Sequence, residues 1–349
     1  LQKHSSPSPW LKKPELAFLK EMIMSKASVY ITRLIPQENI DALRAEFDVE
    51  VNMEDRALSP AELKEKVRGR SAVVTLLTDS ITSEVLDVAG PHCKIVANYA
   101  VGYNNFDLAA ATERKIILTN TPGVLDDATA THTFTLLLSV ARRIAEADKF
   151  VRAGKWQGWA PMFFIGLDVD RQTLGIAGLG RIGKNVARKA RGFDMRIIYN
   201  DVQRDPAFES ETGALFVDKD TLLRESDFLT LHVPLLPETR HYISAAELKK
   251  MKKTAVLINA SRGPVVDEKA LVVALREKWI FGAGLDVFEN EPALEPGLIG
   301  LDNVVIVPHV ASATPATRIA MGDIVVANIR AVLNGRPPQN CVNPAVLTS

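Results

Sequence analysis

The stretch "TLGIAGLGRIG", residues 173–183, decides how the rest of the chain is read. It sets Gly178, Gly180 and Gly183 in G-x-G-x-x-G spacing, after an apolar strand (174–177) and before a helical pattern (182–191). The first glycine permits a tight turn, the second lets backbone approach a pyrophosphate, and the third lets helix and strand pack closely. The helix start then offers amide donors to the anion, which makes Leu179, Arg181 and Ile182 part of the same candidate cradle. The next strand, "MRIIYND", ends in Asp201, eighteen residues past Gly183. An acid there can hydrogen-bond the ribose hydroxyls of NAD and repels the 2′-phosphate of NADP. NAD(H) is therefore the expected cofactor. Arg204 keeps NADP(H) open, since a nearby Arg can accept that phosphate.

Outward from this turn the pattern alternates. Before it, strands are expected at 29–31, 72–77, 94–97 and 116–119, with helices at 38–47 and 83–89. The longest helical pattern runs over roughly 128–152. After the turn, strands are expected at 196–199, 228–232, 255–259, 281–285 and 304–307, with helices at 246–250, 268–276 and 316–333. Strands alternating with helices indicate parallel sheets covered on their faces.

With 349 residues and 47% hydrophobic content, more than one core is expected. Lys+Arg and Asp+Glu both total 42, and this balance gives no support to nucleic acid or anionic membranes as partners. Two cysteines, Cys93 and Cys341, with no Cys/His cluster, indicate neither a disulfide framework nor a metal site, and fit a reducing, cytoplasmic setting. No apolar run approaches a membrane span. Residues 1–25 mix Lys with Glu and lack a long apolar segment, so they read poorly as a signal peptide. Met24 looks like a natural start, and 1–25 are set aside as a leader of unassigned origin.

Of the six histidines, His4 lies in the leader, and His92, His132 and His241 read as surface or element-end residues. His232, Val233 and Pro234, in "LHVP", sit where a strand of an open α/β sheet meets ligands, a cofactor-lining position. His309 follows a strand in "VVIVPHVASAT"; on this segment alone it reads equally as structural or catalytic. Arg262, in "NASRGP" after another strand, is either a salt-bridged surface residue or a fork for a substrate carboxylate. The segment "GLDVFENEP" carries Asp286, Glu289 and Glu291 at a strand's end.

Taken in order, "NYAVGYNNFD", "TNTPGVLDDATATHTFTLLLSVARRI", "GIAGLGRIGK", "LHVPLLPET", "LINASRGPVVDEKAL", "GAGLDVFENEP" and "VPHVASAT" resemble the D-2-hydroxyacid dehydrogenase family, most closely its glyoxylate/hydroxypyruvate reductases. The resemblance implies a catalytic Arg262, Glu291 and His309, the Glu being the one before the Pro of "xEP". It implies that Asp286 contacts the nicotinamide carboxamide, that Ala260, Ser261, Arg262, His309 and Ala311 line the cofactor, and that the amides of Val101 and Gly102 hold the substrate carboxylate. Val310-Ala311 stand where the family commonly has Ile-Gly. Chemically the set is coherent: hydride adds to a 2-keto carbon, an imidazolium protonates the oxygen, a carboxylate stabilises that imidazolium, and a guanidinium binds the acid.

The expected fold is α/β, two Rossmann-like domains with parallel sheets. A cofactor domain (123–312) is inserted into a flavodoxin-like substrate domain (26–122 with the return 313–345). A homodimer through the long helix is implied by the resemblance. The expected activity is NADH-dependent reduction of small 2-keto acids, glyoxylate or hydroxypyruvate first. A phosphoglycerate or D-lactate dehydrogenase, or an NAD-sensing corepressor on the same fold, are the alternatives.

Overall fold

The computed structural model describes residues 26–348, so the leader lies outside the described residues. The described chain divides into two compact units, one of residues up to Thr121 and from Met321 onward, the other Pro122–Ala320.

In the first unit, β1 (Ser28–Ile31), β2 (Asp48–Val51), β3 (Ala72–Thr75), β4 (Ile95–Asn98) and β5 (Ile117–Thr119) form one parallel sheet in the order β2-β1-β3-β4-β5. The segments VYI, AVVT and IVAN are buried along their length, as strands covered on both faces must be. Strand β2 was not expected. Its sequence, DVEV, lies at the sheet edge with every residue at least partly exposed, so it shows no apolar run. Helices α1 (Gln37–Arg44), α2 (Pro60–Val67), α3 (Ser83–Ala89) and α4 (Leu108–Glu113) connect the strands. Ser59 and Glu62 close a capping box at α2, while Thr82 and Asp107 cap α3 and α4. Leu63, Leu86 and Ala111 from these helices pack with Tyr30, Val73, Val96 and Leu118.

The second unit begins with α5 (Asp126–Ala141) and α6 (Ile144–Arg152). These replace the single long helix expected over 128–152. Arg143 adopts a left-handed conformation, φ 53°, between them. The cause lies at residues 166–167: the Leu167 amide takes the Ala141 carbonyl at 2.8 Å, so that carbonyl is no longer the helix's to use. A seven-stranded parallel sheet follows, built from β6 (Thr173–Ala177), β7 (Arg196–Asn200), β8 (Leu215–Phe216), β9 (Phe228–Leu231), β10 (Val256–Asn259), β11 (Gly282–Leu285) and β12 (Val304–Ile306). Its order is β12-β11-β10-β9-β6-β7-β8. Both sheets are Rossmann-like, the first in the 2-1-3-4-5 order and the second in the 3-2-1-4-5-6 order with one strand added.

Alternate residues of these strands enter different cores. Leu174, Ile176, Ile197, Tyr199, Val256 and Ile258 join α5 residues Leu136, Leu137 and Val140. Ala177, Ile198, Leu229, Leu257, Ala283 and Leu285 pack instead with Leu223 and Leu271. The period of two is what separates the faces. Helices α7 (Arg181–Ala190), α8 (Pro206–Thr212), α9 (Lys219–Glu225), α10 (Ala245–Leu248) and α11 (Glu268–Arg276) connect strands, and α12 (Pro315–Leu333) contains the second unit boundary. That boundary falls at 320/321, eight residues beyond the expected junction, because the first turn of α12 groups with the second unit. Among the described residues, no helix is long and apolar enough to cross a membrane.

Candidate active site

The order of the second sheet reverses between β6 and β9, and the glycine turn follows β6 at that point. In open α/β sheets this is where a dinucleotide binds. Gly178 has φ +90°, and a Cβ there would meet the His232 carbonyl carbon and the Val233 nitrogen at 2.8 Å. A Cβ on Gly183 would meet the Gly178 oxygen at 2.3 Å, so this glycine is needed for close packing of α7 on the turn. Around Gly180, by contrast, nothing lies within 4 Å of the Cβ position. Gly180 is also the N-cap of α7 and offers no side chain to its first amides. An open cradle with a bare helix start suits a pyrophosphate.

Asp201 follows β7 and turns back to the cradle, accepting the Leu179 and Val202 amides at 2.6 Å each. A carboxylate has acceptor sites beyond these two, so ribose hydroxyls fit as additional partners. Arg204 is drawn elsewhere: Glu209 accepts from its Nε at 2.8 Å and its Nη2 at 2.6 Å, and also accepts the Tyr199 hydroxyl at 2.8 Å. His232 directly follows β9, with its ring enclosed and its Nε2 without a hydrogen-bond partner among the described residues. Burial lowers its pKa to about 4, so the ring is neutral near pH 7.

Three neighbouring strands supply the candidate reacting groups. Arg262 follows β10. The Asn259 side chain accepts the Ser261 amide and hydroxyl and donates to the Arg262 carbonyl at 2.9 Å, shaping the turn through Ala260 and Ser261. Burial pulls the guanidinium below its ordinary pKa, with the Glu291 charge opposing, and it stays charged. Glu291 lies in the loop after β11. Its Oε1 accepts the Phe288 amide at 2.9 Å and its Oε2 lies 2.9 Å from His309 Nδ1. Burial pushes its pKa up, but the His309 ring, the Phe288 amide and Arg262 outweigh that and hold it below the usual carboxylate value. Glu289 is engaged differently, by Arg240 at 2.7 Å and His241 at 2.8 Å. The geometry thus separates the two glutamates that the sequence sets side by side.

His309 follows β12 with φ +53°. A left-handed conformation in a non-glycine residue costs on the order of 1–3 kcal/mol and needs support from its surroundings. That support is Asp286. Its main-chain oxygen accepts the His309 amide at 2.9 Å, and its carboxylate accepts the Val310 amide at 2.7 Å and the Ala311 amide at 3.1 Å. Ala311 itself has no left-handed φ, so its backbone accepts a side chain without strain. Asp286 is 0% exposed, and its carboxylate faces this backbone and the His132 ring. What its oxygens engage is the loop behind His309, a partner not expected from sequence. His132 is the residue that sequence reasoning passed over: it projects from α5 and is partly buried, not a surface histidine. Glu268 was passed over as well. Buried at the start of α11, it accepts the Glu289 amide at 2.5 Å and steadies the loop that carries Glu291.

In the first unit, Val101 and Gly102 lie in the loop after β4. The Asn120 side chain ties the Val101 carbonyl at 2.7 Å and the Asn98 side chain ties the Gly102 carbonyl at 2.8 Å. The first bond fixes the peptide that carries the Gly102 amide, and the Thr121 amide fixes the peptide that carries the Val101 amide by donating to the Ala100 carbonyl at 2.9 Å.

The family model described as "D-isomer specific 2-hydroxyacid dehydrogenase, NAD binding domain" matches residues 134–311. A glyoxylate reductase of Thermococcus litoralis is 52% identical over 328 residues, covering 93% of this chain and 99% of that one. The crystal structure of a Thermus thermophilus protein is similar at a TM-score of 0.84 and 43% identity, over 90% of this chain and 99% of that chain. An NADPH-dependent glyoxylate/hydroxypyruvate reductase from Sinorhizobium meliloti, in complex with NADP and malonate, is similar at a TM-score of 0.80 and 33% identity, over 92% and 98%.

Proposed function

The chain belongs to the D-isomer-specific 2-hydroxyacid dehydrogenase family, as a nicotinamide-dependent oxidoreductase of small keto and hydroxy acids, and from that premise we propose that it reduces glyoxylate and hydroxypyruvate with NADH. The observation that carries this reading is the His309–Glu291 pair, Nδ1 to Oε2 at 2.9 Å, in the unit that holds Arg262 and the glycine turn.

The reduced nicotinamide, when bound, supplies hydride to the carbon of the keto group. Glu291 engages His309 Nδ1, which leaves Nε2 as the atom that delivers a proton to the developing alkoxide. The imidazolium becomes neutral imidazole on giving up this proton and is reprotonated from solvent. Arg262 binds the acid's carboxylate and stabilises charge on the carbonyl oxygen. The amides of Val101 and Gly102 are proposed as further donors to that carboxylate, their peptide planes held by the Thr121 amide on the Ala100 carbonyl and by the Asn120 side chain on the Val101 carbonyl. NADH is favoured over NADPH because Asp201 repels a 2′-phosphate and Arg204 is occupied by Glu209.

A homodimer is part of the proposal. Ile144, Val151, Trp156, Trp159, Met162 and Ile165 expose large apolar surface, Trp159 at 85% and Met162 at 79%, on α6 and the segment after it. Surface of this kind commonly seeks a partner. Light scattering on the purified protein tests it, and a monomer at micromolar concentration would remove it. The catalytic reading is tested with NADH and glyoxylate, hydroxypyruvate, pyruvate or phosphohydroxypyruvate. Loss of NADH absorbance with the first two, abolished in His309→Ala with NADH still bound, is expected. No turnover with either, or unchanged turnover in the variant, refutes it.

A further inference from the structure

Asp286 is a fully buried carboxylate whose two oxygens accept the Val310 and Ala311 amides, and whose main chain accepts the His309 amide. A buried charge of this kind is costly unless it is paired. Two amides supply part of the compensation. The remaining partner comes from a distant part of the unit: His132 on α5 brings Nε2 to 3.2 Å from Asp286 Oδ1. This contact has ion-pair distance but lies outside good hydrogen-bond alignment, so it acts mainly through charge and dipole. We propose that His132 is a positioning residue for the proton donor: by opposing the buried charge of Asp286, it keeps that carboxylate clamped on the Val310 and Ala311 amides, and so keeps the His309 ring against Glu291.

The path is short and made of named contacts. It runs from His132 to the Asp286 carboxylate, through two amides to the 310–311 backbone, and so to His309 in its left-handed conformation. Without the opposing dipole, Asp286 would be held by the amides alone in a dry site. The carboxylate then gains by taking up a proton or by turning toward water, and either change loosens the clamp. Burial does push the Asp286 pKa up; the His132 ring, the Val310 amide and the His309 charge outweigh it and bring it below the ordinary value. A ring released from its anchored backbone spends less time aligned for transfer, and misplacement of about 1 Å can cost about a hundredfold in rate.

This proposal rests on the reading of His309 as proton donor, so the experiment carries that reading as its own control. Wild type, His309→Ala, and the series His132→Ala, His132→Asn and His132→Gln are assayed with NADH and glyoxylate. NADH affinity is measured separately by fluorescence titration. Gln can bring an amide N–H to about the place of Nε2, while Asn is too short. The expected result is a fall in kcat of roughly ten- to a hundredfold in the Ala and Asn variants, NADH affinity within about twofold of wild type, and recovery of most of kcat in the Gln variant. If the Ala variant does not fold, the comparison of Asn with Gln decides the same point. A folded Ala or Asn variant with wild-type kcat overturns the proposal. So does a Gln variant no better than Asn, which would mean that His132 only fills space. A loss of NADH affinity in step with kcat also overturns it, by showing that the pair acts on the cofactor. If wild type fails to turn over, or His309→Ala turns over normally, the proposed function has failed. If both controls behave and the His132 series is flat, only this inference has failed.

Discussion

Replacing Gly263 by alanine would put one methyl group where two loops already touch. A Cβ at Gly263 would lie 1.9 Å from the Phe288 carbonyl carbon and oxygen and 2.4 Å from the Glu289 nitrogen. All three are backbone atoms, so no rotamer change relieves the overlap. Ordinary contact between heavy atoms begins near ~3.5 Å, so the loops would have to part by roughly 1.5 Å. Arg262 precedes the substituted position, and Glu291 sits in the loop on the other side, bound to the Phe288 amide at 2.9 Å. The Glu289 amide is pinned by buried Glu268 at 2.5 Å, so the loop cannot simply swing away. Overpacking of this kind costs about 1–3 kcal/mol. In a unit of this size that corresponds to a Tm lower by about 2–12 °C. A displacement of the guanidinium relative to the His309–Glu291 pair by more than about 1 Å should lower kcat/KM for glyoxylate by about a hundredfold, about 2.7 kcal/mol of transition-state stabilisation. The assay is NADH oxidation under steady state, with thermal unfolding and NADH titration alongside. A Gly263→Ala protein with wild-type kcat/KM and unchanged Tm would refute the view that Arg262 and Glu291 are held in register by this backbone contact.

Other expectations follow from the same geometry. Glu291→Gln removes the charge beside His309 while keeping its shape, and should lower kcat by about ten- to a hundredfold with NADH affinity intact, read by steady-state kinetics and titration. Asp201→Ser should shift the NADH/NADPH ratio of kcat/KM toward NADPH by at least about tenfold, and adding Glu209→Gln to release Arg204 should shift it further; an unchanged ratio would count against Asp201 as the discriminator. His232 is buried neutral with a pKa of about 4, below its unfolded value of about 6.5. Between those values the unfolded chain binds the extra proton, so stability is complete above the unfolded pKa and is lost as pH falls toward 4, by up to about 3 kcal/mol. Urea unfolding of His232→Asn from about pH 7 to about pH 4.5 should therefore show a shallower slope than wild type.

The parts of this molecule legible in its sequence share one property: each carries its signal within one contiguous segment. Strands such as VLIN and AVVT show themselves because burial on both faces leaves them apolar up to their last residue. The glycine turn shows itself because its strand, turn and helix are contiguous. Strand β2 was missed because an edge strand can alternate with acids and still pair. The break at Arg143 was missed because it is made by a carbonyl taken over by Leu167, which no periodicity reveals. In the candidate site, the choice between Glu289 and Glu291 came from a family pattern, and the structure adds a separate partner for each. His132 could not be found at all, because Asp286 lies on another element far along the chain and a histidine on an otherwise ordinary helix carries no mark.

Arg262, Glu291 and His309 leave from β10, β11 and β12, which lie side by side. Hydrogen-bonded strands stand about 4.8 Å apart, and each residue advances a strand by about 3.3 Å. The spacing of the three groups is thus inherited from the pairing of the sheet. A one-residue slip of β12 would carry the imidazole out of reach of its carboxylate while every loop kept its sequence. Defects seeded deep under the sheet, for instance at Gly284, where a Cβ would meet Leu136 of α5 at 3.0 Å, should therefore surface first as lost turnover.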